Sequence, residues 1–156
     1  MAQKNPPPGY HTVTPYLVVD DTAAAIDFYR RAFGAEELYR FEHEGKIGHA
    51  EIQIGSSRIM LSDEWPDWGY RSAKHIGATP VSLMVYVDDV DTVHARAIAA
   101  GATERSPVQD QFYGDRSGNL TDPFGHQWTI GTHREDVPLD EMQRRFRDMM
   151  KEMAGA

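Results

Sequence analysis

LVVDDTA at residues 17–23 and VYVDDVD at residues 85–91 are two copies of one pattern, about half the chain apart. Each copy is a hydrophobic run that ends in two aspartates. Each is followed by an apolar-periodic stretch that stops at Gly-Ala-x-Glu, at residues 34–37 and 101–104. The run is typical of a strand, and an aspartate before helical spacing is typical of a capped helix. The repeat therefore predicts an internal duplication of a strand–helix unit.

Three strand-like runs follow each predicted helix, so the duplicated unit is βαβββ. In the first half they are ELYRFEHEG, KIGHAEIQIG and SRIMLS, and in the second half the last run is QWTIGT. We predict an α+β protein with two tandem βαβββ modules and a C-terminal helix. The predicted parts are a disordered N-terminal arm (1–10), a single domain (11–135) with module one (11–63), a linker (64–80) and module two (81–135), and the C-terminal helix (136–156).

Composition limits the function classes. The chain has 156 residues, a formal net charge of -8 and no cysteine. A surface with this negative charge repels phosphate backbones and anionic lipid. We therefore expect no nucleic-acid partner and no membrane partner. The lack of cysteine excludes disulfides, thiolate metal sites and cysteine nucleophiles. With no apolar N-terminal segment either, we expect a soluble cytoplasmic protein.

The C-terminal segment predicts an amphipathic helix with one apolar stripe. The stripe contains Leu139, Met142, Phe146, Met149 or Met150, and Met153. The simpler interpretation is that it covers the protein's own sheet or core. The alternative is that this methionine-rich face packs on a second subunit.

Three segments carry a family resemblance that spans residues 12–134. They are FYRRAFGAEE, GHAEIQIGSSRIMLSDE and YGDRSGNLTDPFGHQWTIGTHRED. With the two repeated modules, they resemble the vicinal oxygen chelate superfamily of glyoxalase I, bleomycin-resistance proteins and extradiol dioxygenases, and most of all its PhnB-like branch. The resemblance implies a curved mixed sheet around a cleft that holds the ligand, with modules paired within or between the subunits of a homodimer.

The resemblance also indicates where a metal would be bound. Metal-dependent members place four ligands on the first and last strands of the two modules, which correspond here to Thr14, Met60, Ser82 and Thr129. Divalent ions in such sites need imidazole or carboxylate ligands, which neutral hydroxyls and a thioether do not replace. We therefore expect no metal and no other cofactor.

Strand alternation predicts what lines the cleft instead. If Thr14 faces the cleft, alternate residues on the same strands do so as well. The predicted ligand-binding residues on the strands are Tyr16, His49, Glu51, Arg58, Met60, Met84, Tyr86 and Gln127. Two tyrosines, two methionines and a few polar groups are the usual composition of a small-molecule pocket. The alternative is that the tyrosines and methionines simply fill a closed sheet. Trp65 and Trp68 of the linker are candidates to cover the mouth of the cleft.

Two groups of these residues are candidates for chemistry. His49 and Glu51 lie two positions apart on one strand, so an inward pair would hold an ion or act as an oriented base. The alternative is a solvated pair or an ion pair with Arg58. In FYGDRSGN (112–119), a bulge at Gly114 would turn both Tyr113 and Arg116 into the cleft. Arg116, oriented by Asp115, would then bind an anionic or carbonyl group, unless Arg116 and Asp115 form only a surface pair.

Two functions of different classes follow. The first is a metal-free binding protein, a homodimer that sequesters or carries a planar or aromatic small molecule. The second is an isomerase, lyase or transferase that uses His49, Glu51, Tyr113 or Arg116, with or without a divalent ion. The missing metal ligands and the absence of a cofactor motif favour the first.

Overall fold

Module one has the predicted strand–helix–three-strand order. The computed structural model describes residues 3–155 of the chain. The elements of module one are β1 (Tyr16–Val19), α1 (Thr22–Phe33), β2 (Glu36–His43), β3 (Lys46–Ile54) and β4 (Ser57–Asp63). Its sheet has the strand order β1-β4-β3-β2, in which β1 runs parallel to β4 and the other neighbours are antiparallel.

Module two repeats that order and the same sheet topology. A 3-10 turn (Pro66–Trp68) and the short helix α2 (Ala73–Ile76) lie between the modules. The elements of module two are β5 (Ser82–Tyr86), α3 (Val90–Ala99), β6 (Thr103–Asp110), β7 (Asp115–Thr121) and β8 (Gln127–His133). The sheet order is β5-β8-β7-β6, again with the first strand parallel to the last. The α+β fold with two tandem βαβββ modules is confirmed, and across residues 3–155 each module forms its own four-stranded sheet.

The repeated aspartates have a structural role at the starts of the helices. Asp21 has an extended backbone and accepts a hydrogen bond from the Ala24 amide at 3.0 Å. Asp89 does the same for the Thr92 amide at 3.1 Å. A carboxylate at this position pairs an amide that the first helical turn leaves free. At the other end of α1, Gly34 has a φ of 70°, a left-handed conformation that glycine adopts without a side-chain penalty.

One hydrophobic core is shared by both modules. Apolar residues of α1, of α3 and of the helix-facing side of each sheet belong to the same buried cluster. Across the module boundary, the Phe33 and Tyr29 rings of α1 lie 4.8 and 5.4 Å from the Trp128 ring of β8. Tyr29 also donates a 2.6 Å hydrogen bond to the buried carboxylate of Asp122. The modules are therefore joined through their helix-facing sides.

Each sheet consequently has a second side turned away from the helices, which we call its outer face. In β1, Leu17 and Val19 are buried while Tyr16 is 42% exposed. In β5, Val85 packs against the core while Tyr86 is 62% exposed. This is the alternation that the sequence predicts, because successive strand residues point to opposite sides.

The C-terminal helix α4 (Leu139–Gly155) contacts the body around Arg145 and Phe146. Arg145 pairs with Glu135 at 2.9 Å, and the Phe146 ring lies 5.4 Å from that of Phe112. No residue described in α4 is buried, and Leu139, Phe146, Met150 and Met153 are exposed. The contacts of Arg145 and Phe146 are with the helix's own chain. Both interpretations of the apolar stripe, a cover for the protein's own sheet or core and a face for a second subunit, stay predictions.

We predict that Tyr29→Phe lowers the free energy of unfolding by about 1.5–3 kcal/mol, because a buried carboxylate loses a donor. Denaturant titration followed by circular dichroism measures it. Tyr70→Phe is a matched control, since Tyr70 is half exposed and its change should stay within about 0.5 kcal/mol. Equal effects of the two substitutions would contradict the proposed strength of the Tyr29–Asp122 bond.

We also predict that removal of residues 139–156 leaves the body's stability nearly unchanged, because the described part of α4 buries no side chain. The same truncation should weaken self-association, measured by sedimentation velocity. Phe146→Ala with Met150→Ala should reproduce that loss in the full chain, while Arg147→Ala with Lys151→Ala, about 100° and about 140° around α4 from Phe146, should not. A truncated protein that unfolds at markedly lower denaturant would mean that the apolar stripe packs on its own body.

Candidate functional site

A row of predicted site residues crosses the outer face of module one. Strand register places Tyr16 beside Met60, Met60 beside Glu51, and Glu51 beside Tyr39. His49 lies two residues before Glu51 on β3 and therefore on the same side of the sheet. The structure thus brings together four of the residues predicted from the sequence, and it adds Tyr39.

Hydrogen bonds connect these side chains into one network. The Tyr16 hydroxyl lies 3.0 Å from Nδ1 of His49. Nε2 of His49 lies 3.1 Å from Oε1 of Glu51. The Tyr39 hydroxyl donates to the same oxygen of Glu51. His49 and Glu51 are therefore part of an ordered network, so the interpretation as a solvated pair is wrong.

Burial sets the protonation of this network. Glu51 is only 2% exposed, and its second oxygen, Oε2, is buried without a hydrogen-bond partner among the described residues. Burial raises the pKa of Glu51 above its usual value, and the charge of Arg58 acts against that rise. Burial also lowers the pKa of His49. Both shifts favour the uncharged forms, as expected for groups withdrawn from water.

Aromatic rings surround His49. The ring centroids of Tyr16, Tyr39 and Phe41 lie 5.5, 6.0 and 6.3 Å from that of His49. Tyr70 of the linker lies 6.5 Å from Tyr16. The sequence reasoning missed Tyr39 and Phe41, although their alternation in ELYRFEH places both on one side of β2. No sequence pattern indicated Tyr70, because only the path of the linker brings it close to Tyr16.

The linker tryptophans have contacts of their own, away from Tyr16 and His49 in the ring pairs described. Trp65 and Trp68 stack on each other at 5.2 Å, and the ammonium of Lys46 lies 4.4 Å above the Trp65 ring. Trp68 remains largely exposed. The expectation that these two residues cover the cleft receives no support from their contacts, whereas Tyr70 takes a position beside Tyr16.

Two other predicted residues have partners within the chain. The Arg58 guanidinium lies 4.6 Å from the centre of the Tyr10 ring and packs closely against Gly9, so the N-terminal arm covers it. Gln127 accepts a 2.6 Å hydrogen bond from Arg105. Whether either contacts a ligand stays a prediction.

The outer face of module two has a different network. The Tyr86 hydroxyl donates to Asp115 at 3.0 Å, and the other oxygen of Asp115 lies 2.7 Å from Nδ1 of His133. Nε2 of His133 lies 2.7 Å from Asp136, and these two carboxylates raise the pKa of His133. The Tyr113 hydroxyl lies 3.4 Å from Ser117. The network joins Tyr86 to the segment that leads into α4.

Arg116 is placed differently from the sequence expectation. Its guanidinium binds both oxygens of Asp91 at 2.9 Å and Asp110 at 3.2 Å, and Asp115 is not its partner. β7 begins directly after Gly114, which has a φ of 99°, and the irregular pairing lies in β6 around Ser106. The expected bulge at Gly114 is therefore wrong, and so is an Arg116 oriented by Asp115. A ligand contact by Arg116 stays untested.

The positions that correspond to the family's metal ligands do not fit a metal. Met60, which lies beside Tyr16 on the outer face of module one, offers only a thioether. The Thr129 hydroxyl donates to Asn119 at 2.6 Å. Thr14 and Ser82 offer only neutral hydroxyls. Across residues 3–155, no group of three or more histidines, aspartates or glutamates is arranged to hold an ion. The expectation that the protein has no bound metal remains a prediction.

One groove lies between the two modules and reaches the outer-face residues Met84 and Tyr86 of β5. It has a volume of about 490 Å³ and runs between the β3–β4 turn (54–57) and the edge strand β5, where residues 84–88 line it. Five grooves are described on residues 3–155, and Tyr16, His49 and Glu51 line none of them. One smaller groove brings Arg58 of module one and Met84 of module two together. None of the five contains both Tyr16 and Tyr86.

Comparison with known sequences identifies the family. Residues 10–130 match the profile of the Glyoxalase/Bleomycin resistance protein/Dioxygenase superfamily. The chain belongs to this superfamily. An uncharacterised protein of Mycobacterium bovis is 44% identical over 84% of this chain and 89% of its own length. Protein YjdN of Escherichia coli is 27% identical over 79% of this chain and 96% of its own length.

Solved structures support the same assignment. TioX from a Micromonospora species is 29% identical, with a TM-score of 0.61 over 81% of this chain and 98% of its own. A Bacillus cereus PhnB protein, described as a putative 3-demethylubiquinone-9 3-methyltransferase, has a TM-score of 0.60 at 21% identity, over 78% of this chain and 99% of its own. At that identity the likeness extends to the fold alone.

Among the described helices, none has both the length and the apolar character needed to span a bilayer. The cytoplasmic location expected from the sequence stays a prediction.

The raised pKa of Glu51 leads to a test by pH. The folded protein holds the Glu51 proton more tightly than the unfolded chain does, so this group's contribution to stability is lost as pH rises through the folded pKa. Glu51→Gln cannot ionise. Relative to wild type, the variant should gain stability as pH rises from about 4, the usual pKa of glutamate, through the raised pKa of the folded state. Urea denaturation over a pH series measures it. A difference that is constant with pH would contradict the assigned shift.

Proposed function

We propose that the protein is a homodimer that binds a planar or aromatic small molecule between the outer face of module one in one subunit and that of module two in its partner. The observation that supports the proposal is that the exposed tyrosines of the two outer faces, Tyr16 and Tyr86, line no common groove among the five described. Tyr16 is 42% and Tyr86 62% exposed. Exposed apolar surface of this kind marks binding surfaces.

Two open sheet edges support the pairing of modules between subunits. β1 is the outermost strand of its sheet, and β5 has the same position in the other. Each therefore has one side with unpaired backbone amides and carbonyls, which favours association with a further strand. Alignment of β1 from one subunit with β5 of the other would join two sheets and bring their outer faces to one cleft. The exposed apolar stripe of α4 provides additional surface for the same association.

The side chains on these faces support a planar ligand. Tyr16, Tyr39 and Phe41 present three rings around His49, and Tyr70 lies beside Tyr16. Met84 and Tyr86 are exposed on the other module. Rings of this type stack on planar groups, while the tyrosine hydroxyls supply directional hydrogen bonds. Bleomycin-resistance proteins form part of the superfamily, which supports sequestration as the role. The proposal needs no cofactor and no nucleic-acid or membrane partner.

The second candidate is an enzyme of isomerase, lyase or transferase type. The Tyr16–His49–Glu51 network favours it, because a histidine between a hydroxyl and a buried carboxylate is arranged for proton transfer. Neither Tyr113 nor Arg116 adds to it, since Tyr113 lies beside Ser117 and Arg116 is bound by Asp91 and Asp110. Binding remains the better-supported function, because it draws on both faces.

Mixing two defective variants tests whether the site is shared between subunits. The ligand is first identified by native mass spectrometry of the purified dimer. Tyr16→Ala and Tyr86→Ala should each weaken its binding. After the two variants are mixed and exchange subunits, a heterodimer has one cleft with both substitutions and one intact cleft. About a quarter of the clefts should therefore recover full affinity.

The control is the double variant Tyr16→Ala/Tyr86→Ala mixed with itself, which should recover nothing. Loss of binding that mixing does not restore would place the whole site within one chain. A protein that sediments only as a monomer at micromolar concentration would contradict the homodimer.

A further inference from the structure

Three side chains on the outer face of module one lie in the order needed to move a proton. In the ionised form of Glu51, which is populated above its raised pKa, the carboxylate only accepts hydrogen bonds. The His49 nitrogen that lies 3.1 Å from it, Nε2, then carries the proton. A neutral His49 then has its lone pair on Nδ1. The Tyr16 hydroxyl, 3.0 Å from Nδ1, must donate to it. The Glu51 carboxylate thus decides which group donates and which accepts in each hydrogen bond from Glu51 to Tyr16.

This order matches the general requirement for an activated hydroxyl. A histidine that accepts from a hydroxyl acts as a base only if a further group fixes its tautomer and orientation. Here Glu51 is buried, Tyr39 donates to the same oxygen, and the surrounding rings limit the motion of His49. At the other end, Tyr16 is 42% exposed. The buried end is thus fixed and the exposed end can meet a ligand.

We propose that Tyr16, His49 and Glu51 form a proton relay, with Tyr16 as the group that exchanges a proton with the bound ligand. As Tyr16 takes a proton from the ligand, its own proton passes to Nδ1 of His49, giving an imidazolium beside the Glu51 carboxylate. Return of a proton through Tyr16 to another atom of the ligand completes an isomerisation. These steps transfer protons only, so no oxidant, reductant or other co-reactant is needed.

The chemistry limits the ligand class. A tyrosine–histidine base removes protons that a neighbouring group acidifies, such as a hydroxyl or a C–H next to a carbonyl in a planar compound. Stacking on the rings near His49 would hold such a plane against Tyr16. The inference rests on the proposed function, since the same face has to receive the ligand. The relay itself is complete within module one of a single chain.

The test uses phenylmethanesulfonyl fluoride on the full-length protein, without any natural ligand. Its sulfur forms a bond with a tyrosine oxygen, fluoride leaves, and the hydroxyl proton must pass to a base. Mass spectrometry of peptides measures the rate at each tyrosine. We expect Tyr16 to react faster than the exposed Tyr70 and Tyr86. His49→Gln should slow Tyr16 by about 100-fold, the usual contribution of a general base, and leave Tyr70 and Tyr86 unchanged.

The matched control is His75→Gln, since His75 also pairs with a glutamate, Glu64, at 3.1 Å but lies in the linker. It should leave the rate at Tyr16 unchanged. Glu51→Gln should slow Tyr16 less than His49→Gln does, because His49 remains present without its fixed tautomer. Circular dichroism of each variant establishes that it is folded.

The pH profile separates a relay from a structural role. The charged and titratable groups around His49 are Tyr16, Tyr39, Glu51, Arg58 and Tyr70. Because the pKa of His49 is lowered, the rate at Tyr16 should decline only below the usual range of histidine, and His49→Gln should remove that decline.

A Tyr16 that reacts no faster than Tyr70 and Tyr86, or that is unaffected by His49→Gln, would overturn the relay. These outcomes are independent of the subunit-mixing experiment. Failure of subunit mixing with fast labelling of Tyr16 would leave the relay intact and remove the shared cleft. Successful subunit mixing with slow labelling of Tyr16 would support the shared cleft and overturn the relay.

Discussion

The arrangement of the two modules depends on the buried carboxylate of Asp122. It lies in the Asp-Pro-Phe-Gly turn of module two and accepts hydrogen bonds from the Tyr29 hydroxyl of module one, from the Trp128 indole and from the amides of Phe124 and His126. A carboxylate withdrawn from water is stable only with such a full set of donors. Tyr29 remains a donor because burial and the negative charge of Asp122 raise its pKa.

This connection explains why the two outer faces are open. Since α1 and the turn of module two meet across the core, each sheet buries its helix-facing side and leaves the other side exposed. The hydrophobic core is thus complete within one chain while Tyr16, Met84 and Tyr86 remain exposed. In the proposed homodimer a second copy would cover both faces, because the open strands β1 and β5 are present once in each chain.

The duplicated modules have the same fold but different polar chemistry. In module one an exposed tyrosine meets a histidine, which meets a buried carboxylate. In module two the order is Tyr86, then Asp115, then His133. In module one, the histidine lies directly beside the Tyr16 hydroxyl, where it can act as a base. In module two, the Tyr86 hydroxyl donates to Asp115, and that carboxylate also contacts His133. Only the order in module one is suited to the proposed proton transfer, so we expect the two modules to have different roles.

The sequence by itself determined the duplication, the strand and helix order and the face on which Tyr16, His49, Glu51 and Tyr86 lie, because these follow from local capping and from the alternation of strand residues. It did not determine the partners of Arg116, the approach of Tyr70 to Tyr16 or the exposure of α4. Those depend on which distant segments meet: Asp91 and Asp110 reach Arg116 from two other elements, and the linker's path positions Tyr70. Contacts between residues far apart in the chain are set by packing of the whole core, which no local pattern records.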